Sequence, residues 1–232
     1  MINRLENIYL ISFVFLFLAC GGNTDSKPIP TAAPTSDTEK AAKSSEAKAT
    51  KKNIIFFGNS LTAAYGIDPT LGFAGLIEQR IDSLGLNYKV INAGVSGETT
   101  AGGKDRIDWL LKQKVDIFIL ELGGNDALRG QDTQAAYDNL QTILDRVKAK
   151  YPEAKLVIAG MEAPPNMGKV YTDSFRAIYQ KLAKANNAAL IPFLLEGVGG
   201  IRALNLPDGI HPTVEGHKIV AENIWEILEP LL

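Results

Sequence analysis

Residues 53–62, Asn53-Ile54-Ile55-Phe56-Phe57-Gly58-Asn59-Ser60-Leu61-Thr62, decide the fold. Four consecutive apolar residues break off at a glycine and two polar side chains, the pattern of a strand buried on both faces that ends in a loop. Similar runs recur at Lys89–Asn92, Val115–Leu122, Leu156–Gly160 and Ala189–Phe193. Between them lie longer stretches with helical spacing: Tyr137, Leu140, Leu144 and Val147 in one, Phe175, Ile178 and Leu182 in another. These side chains are core residues. The alternation predicts an α/β fold, a five-stranded parallel sheet covered by helices, spanning residues 53–232 as one domain. A last helix is expected behind Pro212, with that proline in its first turn and Val220, Ile224 and Ile227 on one side. Ligands of such sheets bind beyond the carboxyl ends of the strands.

Upstream of this domain the composition changes twice. Ile8–Ala19 is an almost unbroken apolar run after Arg4 and Glu6, too short for a comfortable membrane span and suited to the core of a secretory signal. Residues 1–20 are therefore expected to be a lipoprotein-type signal, with Cys20, the only cysteine, as the lipid acceptor. The alternative is an ordinary thiol closing an uncleaved anchor. Either way the rest of the chain is expected to be exported to the cell envelope, and one cysteine provides no internal disulfide. Residues 21–52 contain no aromatic residue and six Lys against four acids. Such a segment buries too little apolar surface to offset its ordering entropy and is expected to be a disordered tether.

The chain has 232 residues, 46% hydrophobic and 22% charged, with a net charge of −2 that leaves about −4 for residues 53–232. A mildly acidic domain lacks the basic face that a nucleic-acid backbone demands, so no nucleic-acid partner is expected.

Ser60 follows the first strand directly, where its hydroxyl and its own N–H can face one point of the cleft. A serine there is also an ordinary helix cap. A nucleophilic serine needs a base that operates near neutral pH, and that base needs an orienting partner. Asp208-Gly209-Ile210-His211-Pro212 supplies both within one tight turn, although a loop histidine held by an aspartate for stability has the same spacing. The other histidine, His217, falls inside the last helix and is read as structural or solvent-facing. Two more clusters follow the second and third strands: Asn92-Ala93-Gly94-Val95-Ser96-Gly97-Glu98-Thr99 and Glu121-Leu122-Gly123-Gly124-Asn125-Asp126. Ester cleavage places charge on a carbonyl oxygen and needs prearranged donors. The N–H groups of Ser60 and Gly97 and the side-chain amide of Asn125 are of the right type. Taken singly, Gly94 and Gly97 fit turns needing positive φ, and Asn125 fits an Asx turn or cap.

No G-x-S-x-G surrounds Ser60, and neither phosphate-binding glycine motif follows a strand. Two histidines six positions apart, without cysteine ligands, do not make a zinc site of familiar spacing.

The four clusters, GNSLT, NAGVSGETT, ELGGND and DGIHP, resemble in content and order the four blocks of the SGNH, or GDSL, hydrolase superfamily. LGGNDALRG, PPNMGKVY and DGIHP make the chain most similar to its bacterial thioesterase I, lysophospholipase and arylesterase group. The resemblance covers roughly residues 53–232. It implies a flavodoxin-like three-layer α/β/α fold and an acyl-enzyme mechanism without cofactor or metal. Ser60, Asp208 and His211 are the implied catalytic residues, with Ser60, Gly97 and Asn125 around the oxyanion. Asn59 stands where the family's name has Asp, which bears on local hydrogen bonding.

A small-molecule or lipid acyl ester is the expected substrate. Met161–Val170, with Pro165 and Met167, is expected to border the acyl pocket, and Leu128 with Arg129 another side of it; both stretches also suit plain surface connections. Deacetylation of a carbohydrate is the alternative activity. A lipid-tethered binding protein without turnover is the alternative from another class.

Overall fold

The computed structural model describes residues 50–232. The expected signal at 1–20, Cys20 and nearly all of the tether lie outside the described residues. The first strand, β1 (Lys52–Gly58), begins at the last residue assigned to the tether. Lys52 N–H already donates to the Asn87 carbonyl at 2.9 Å, so the domain starts slightly earlier than its apolar run suggests.

Five parallel strands form one sheet: β1, β2 (Tyr88–Gly94), β3 (Ile117–Glu121), β4 (Lys155–Ala159) and β5 (Ala189–Ile191), in the spatial order β2-β1-β3-β4-β5. This is the flavodoxin-like order, whose switch point lies between β1 and β3. The register sets three strand ends level, because Gly58 stands beside Gly94 on one side and Glu121 on the other. Ile54–Phe57 and Phe118 are fully buried, as expected of strands covered on both faces. β5 is shorter than its apolar run because Pro192 has no N–H for the ladder.

Helices α1 (Phe73–Ser83) and α6 (Val214–Leu228) pack together on one side of the sheet. On the other side α2 (Thr100–Leu110) packs on α4 (Thr133–Lys150), and α4 on α5 (Lys169–Asn186). The short α3 (Gly124–Leu128) follows β3. Three layers result.

The start of α6 departs from expectation. Thr213, not Pro212, is the boundary: its hydroxyl accepts the Gly216 N–H at 3.2 Å, and the helix begins at Val214. Pro212 lies before it, in an antiparallel bridge with Asn205. Val220 and Ile224 are buried and Ile227 partly so. His217 is structural: 1% exposed, it accepts the Phe73 N–H on Nδ1 at 3.2 Å. That N–H opens α1, whose preceding residue, Gly72, has no side chain to cap it.

Candidate active site

At the end of β1 the backbone turns sharply, Ala63 N–H donating to the Asn59 carbonyl and Tyr65 N–H to that of Ser60, at 3.0 Å each. Ser60 is not this turn's cap. Asn59 Oδ1 accepts the Leu61 N–H at 2.9 Å, while Ser60 Oγ meets His211 Nε2 at 2.8 Å across 151 residues of sequence. The Ser60 N–H has no hydrogen-bond acceptor among the described residues.

The Asp208 turn presents His211. Asp208 Oδ1 accepts the N–H groups of Ile210 and His211 at 2.9 and 3.0 Å, which folds the loop back on itself. Its Oδ2 is 2.7 Å from His211 Nδ1, leaving Nε2 to face Ser60. The hydrogen bond from the His211 ring, followed by those from the two backbone N–H groups, pulls the Asp208 carboxyl down to about 2. Tyr65 packs against the imidazole with ring centroids 4.5 Å apart. No motif pointed to Tyr65; its place five residues past Ser60, on the same turn, was the available signal.

Gly97 has φ +80°, so it does occupy the left-handed region. Gly94 does not: it is small because the Ala63 backbone N would lie 2.3 Å from any Cβ there. The Gly97 N–H has no acceptor among the described residues. Asn125, in α3, donates one amide hydrogen to the Glu98 carbonyl at 2.9 Å, and its second hydrogen is available to the cleft. Arg106 braces this region, binding the Glu98 carboxylate through Nε and Nη2 at 2.5 and 2.6 Å and the Ala93 carbonyl at 2.7 Å.

Ser60, Gly97, Asn125 and His211 line one cavity of about 640 Å³. Its walls are largely apolar, with Tyr65, Leu128, Met161, Pro165, Phe193 and Ile210 among them. Leu128 and Pro165 line this cavity; Arg129 and Met167 do not. Arg129 turns outward and donates to the Gly97 carbonyl at 3.1 Å. Pro165–Met167 is a single 3₁₀ turn that carries Met167 into a separate depression beside Lys169 and Val170. Phe193 and Ile210 were legible only as apolar residues in their strand and loop. Among the described residues no cluster of three His, Cys, Asp or Glu is arranged for a metal ion.

An open parallel sheet with a serine just past the end of β1 and an imidazole and a carboxylate on the loop before α6, joined in one hydrogen-bonded line beside an apolar cavity, defines a serine hydrolase of carboxylic esters. The sequence profile of the GDSL-like lipase/acylhydrolase family matches residues 56–219, and the chain belongs to that family. It is 38% identical over 186 residues to the esterase TesA of Pseudomonas aeruginosa, covering 80% of this chain and 92% of that protein. It is 36% identical over 180 residues to thioesterase 1/protease 1/lysophospholipase L1 of Escherichia coli K12, covering 77% of this chain and 84% of that protein. A crystal structure of TesA superposes with a TM-score of 0.75 at 38% identity, covering 78% of this chain and all of that one.

Proposed function

We propose that this enzyme cleaves acyl esters and thioesters with Ser60 as nucleophile, His211 as proton carrier and Asp208 as the group that orients and stabilises the imidazolium. The observation that carries the reading is the continuous line from Asp208 Oδ2 through the imidazole to Ser60 Oγ, 2.7 and 2.8 Å at its two joints. Nε2 takes the Ser60 proton as Oγ attacks the carbonyl carbon. Negative charge then develops on the carbonyl oxygen, where the N–H groups of Ser60 and Gly97 and the free amide hydrogen of Asn125 receive it. Collapse expels the alcohol or thiol, which leaves with the proton from Nε2. A water molecule, deprotonated by the same nitrogen, releases the acid.

The cavity size is that of a small-ligand pocket. Among the described residues its only lining carboxyl is Glu162, paired with Arg176 at 2.8 Å, and no Lys or Arg lines it. Such walls suit an uncharged acyl or aryl group of medium length. Replacing Ser60 or His211 by Ala is expected to lower kcat on an aryl ester by at least about 10³-fold with the fold retained. Near-wild-type rates in folded variants would refute the assignment. Rates rising from acetyl to octanoyl aryl esters, and exceeding those on acetylated sugars, are expected of the pocket.

The apolar run before Cys20 further supports export and attachment to a membrane through a lipid on that cysteine, with residues 21–51 as the tether. Loss of fatty-acid labelling in Cys20→Ser tests it. No helix among the described residues is long and apolar enough to cross a membrane.

A further inference from the structure

Behind the nucleophile lies a buried carboxyl that the reaction itself does not use. Glu121 is the last residue of β3, level with Gly58, and only 1% exposed. Its Oε1 accepts from the Asn59 side-chain amide at 2.8 Å; its Oε2 accepts the Asn59 N–H at 3.1 Å and the Thr62 hydroxyl at 2.8 Å. No Lys or Arg among the described residues forms a salt bridge with it. Gly58 leaves the space it needs, because a Cβ there would lie 2.5 Å from Oε2. Burial pushes this carboxyl up to about 7, and the three donors pull against that rise.

We propose that Glu121 is a positioning residue for the nucleophile: it dictates which way the Asn59 amide faces, and so holds the turn in which the Ser60 N–H is free to meet a carbonyl oxygen. Donors and acceptors decide the direction of the amide. Oε2 is committed as acceptor to the Asn59 N–H and the Thr62 hydroxyl, and in the ionised form Oε1 can only accept as well, so Asn59 turns its nitrogen to Glu121. Asn59 Oδ1 is thereby directed to the opposite side, where it accepts the Leu61 N–H at 2.9 Å. A reversed amide sets oxygen against carboxylate and nitrogen against the Leu61 N–H, two repulsions at a buried site. The same Oδ1 lies 3.5 Å from Ser60 Oγ, too far to compete with His211 at 2.8 Å. Ser60 therefore keeps its hydroxyl proton directed at the base and its N–H directed at the cleft.

Because every partner is specified, the arrangement predicts that an aspartate at 59 rescues a glutamine at 121. In Glu121→Gln the new amide oxygen keeps the Asn59 N–H and Thr62 bonds, but its nitrogen confronts the nitrogen of the Asn59 amide. In Asn59→Asp the Glu121 carboxyl, whose burial already favours its protonated form, takes the shared proton and donates to the aspartate, so this variant keeps the pattern without help. In the double variant the glutamine nitrogen donates to the aspartate, whose other oxygen still accepts the Leu61 N–H, and the original pattern returns with one bond reversed.

The inference rests on Ser60 being the nucleophile, and the experiment separates the two. Full-chain wild type, both single variants and the double variant are compared in kcat and KM on an aryl ester, in the rate of Ser60 labelling by an alkyl phosphonate, and in thermal unfolding. Glu121→Gln is expected to lose roughly tenfold or more in kcat and labelling rate with KM nearly unchanged, Asn59→Asp to stay near wild type, and the double variant to recover most of the loss. Undiminished labelling in Glu121→Gln, a double variant no faster than Glu121→Gln, or losses that follow only the unfolded fraction would overturn the role of Glu121. Failure of the phosphonate to label wild-type Ser60 would instead strike the nucleophile assignment.

Discussion

Asp208 shows how little a side chain need be buried to be committed. Its side chain is 37% exposed, yet the three hydrogen bonds from His211 and Ile210 keep it ionised to about pH 2. Its folded value lies below the ordinary 3.8, so the stability it contributes is present above that value and is lost as pH falls through about 2. Asp208 does not titrate in the range where the enzyme is assayed, and it contributes no acid limb to the rate profile there. The sharper consequence concerns tautomers. Asp208→Asn keeps the shape but offers Nδ1 a donor, which drives the imidazole proton to Nε2 and leaves nothing to accept from Ser60. kcat/KM on an aryl ester is expected to fall by about 10³–10⁴-fold, with circular dichroism unchanged.

His217 couples two helices. As the acceptor for the first N–H of α1, reached from α6, it closes an end that Gly72 leaves uncapped. Burial first, and the nearby His211 second, hold its imidazole down at about 4, below the ordinary 6.5. A depressed folded value means that stability is full above 6.5 and is lost as pH falls through about 4. Thermal unfolding of the wild type is therefore expected to shift downward across that interval. His217→Leu should cost about 1–3 kcal/mol at pH 8 through the orphaned Phe73 N–H, and should flatten the pH dependence. Elements of this kind were readable where one pattern dominated. Ile54–Phe57 announced a central strand, and the spacing of Leu140, Leu144 and Val147 announced α4. Boundaries were not readable where two signals competed, as when Thr213 outbid Pro212 for the start of α6. The line of Ser60, His211 and Asp208 was legible because each residue type has a chemical reason to seek the others. The buried position of Glu121 was signalled only by one acid closing an apolar strand, and nothing in the spacing around Met167 told which way a 3₁₀ turn would carry it.

The domain is held together from its beginning. β1 pairs with β2 on one side and β3 on the other, so the first strand of the described chain is an interior one. A chain that starts at Thr50 is expected to fold and to match the full chain in kcat on soluble esters, since pairing begins at Lys52. Deletion through Phe57 removes both ladders of β1 and the strand that leads into Ser60, and is expected to yield no cooperative thermal transition; calorimetry of the two truncations checks both statements.

The position of β1 also sets an order of events in a growing polypeptide. The hydroxyl is made early and its base 151 residues later, so no unfinished chain released before residue 211 has a working pair, however much of the sheet has formed around the serine. On the proposed assignment, competence arrives in one step, when the segment around residue 211 has been made, and any shorter product carries the serine without its base.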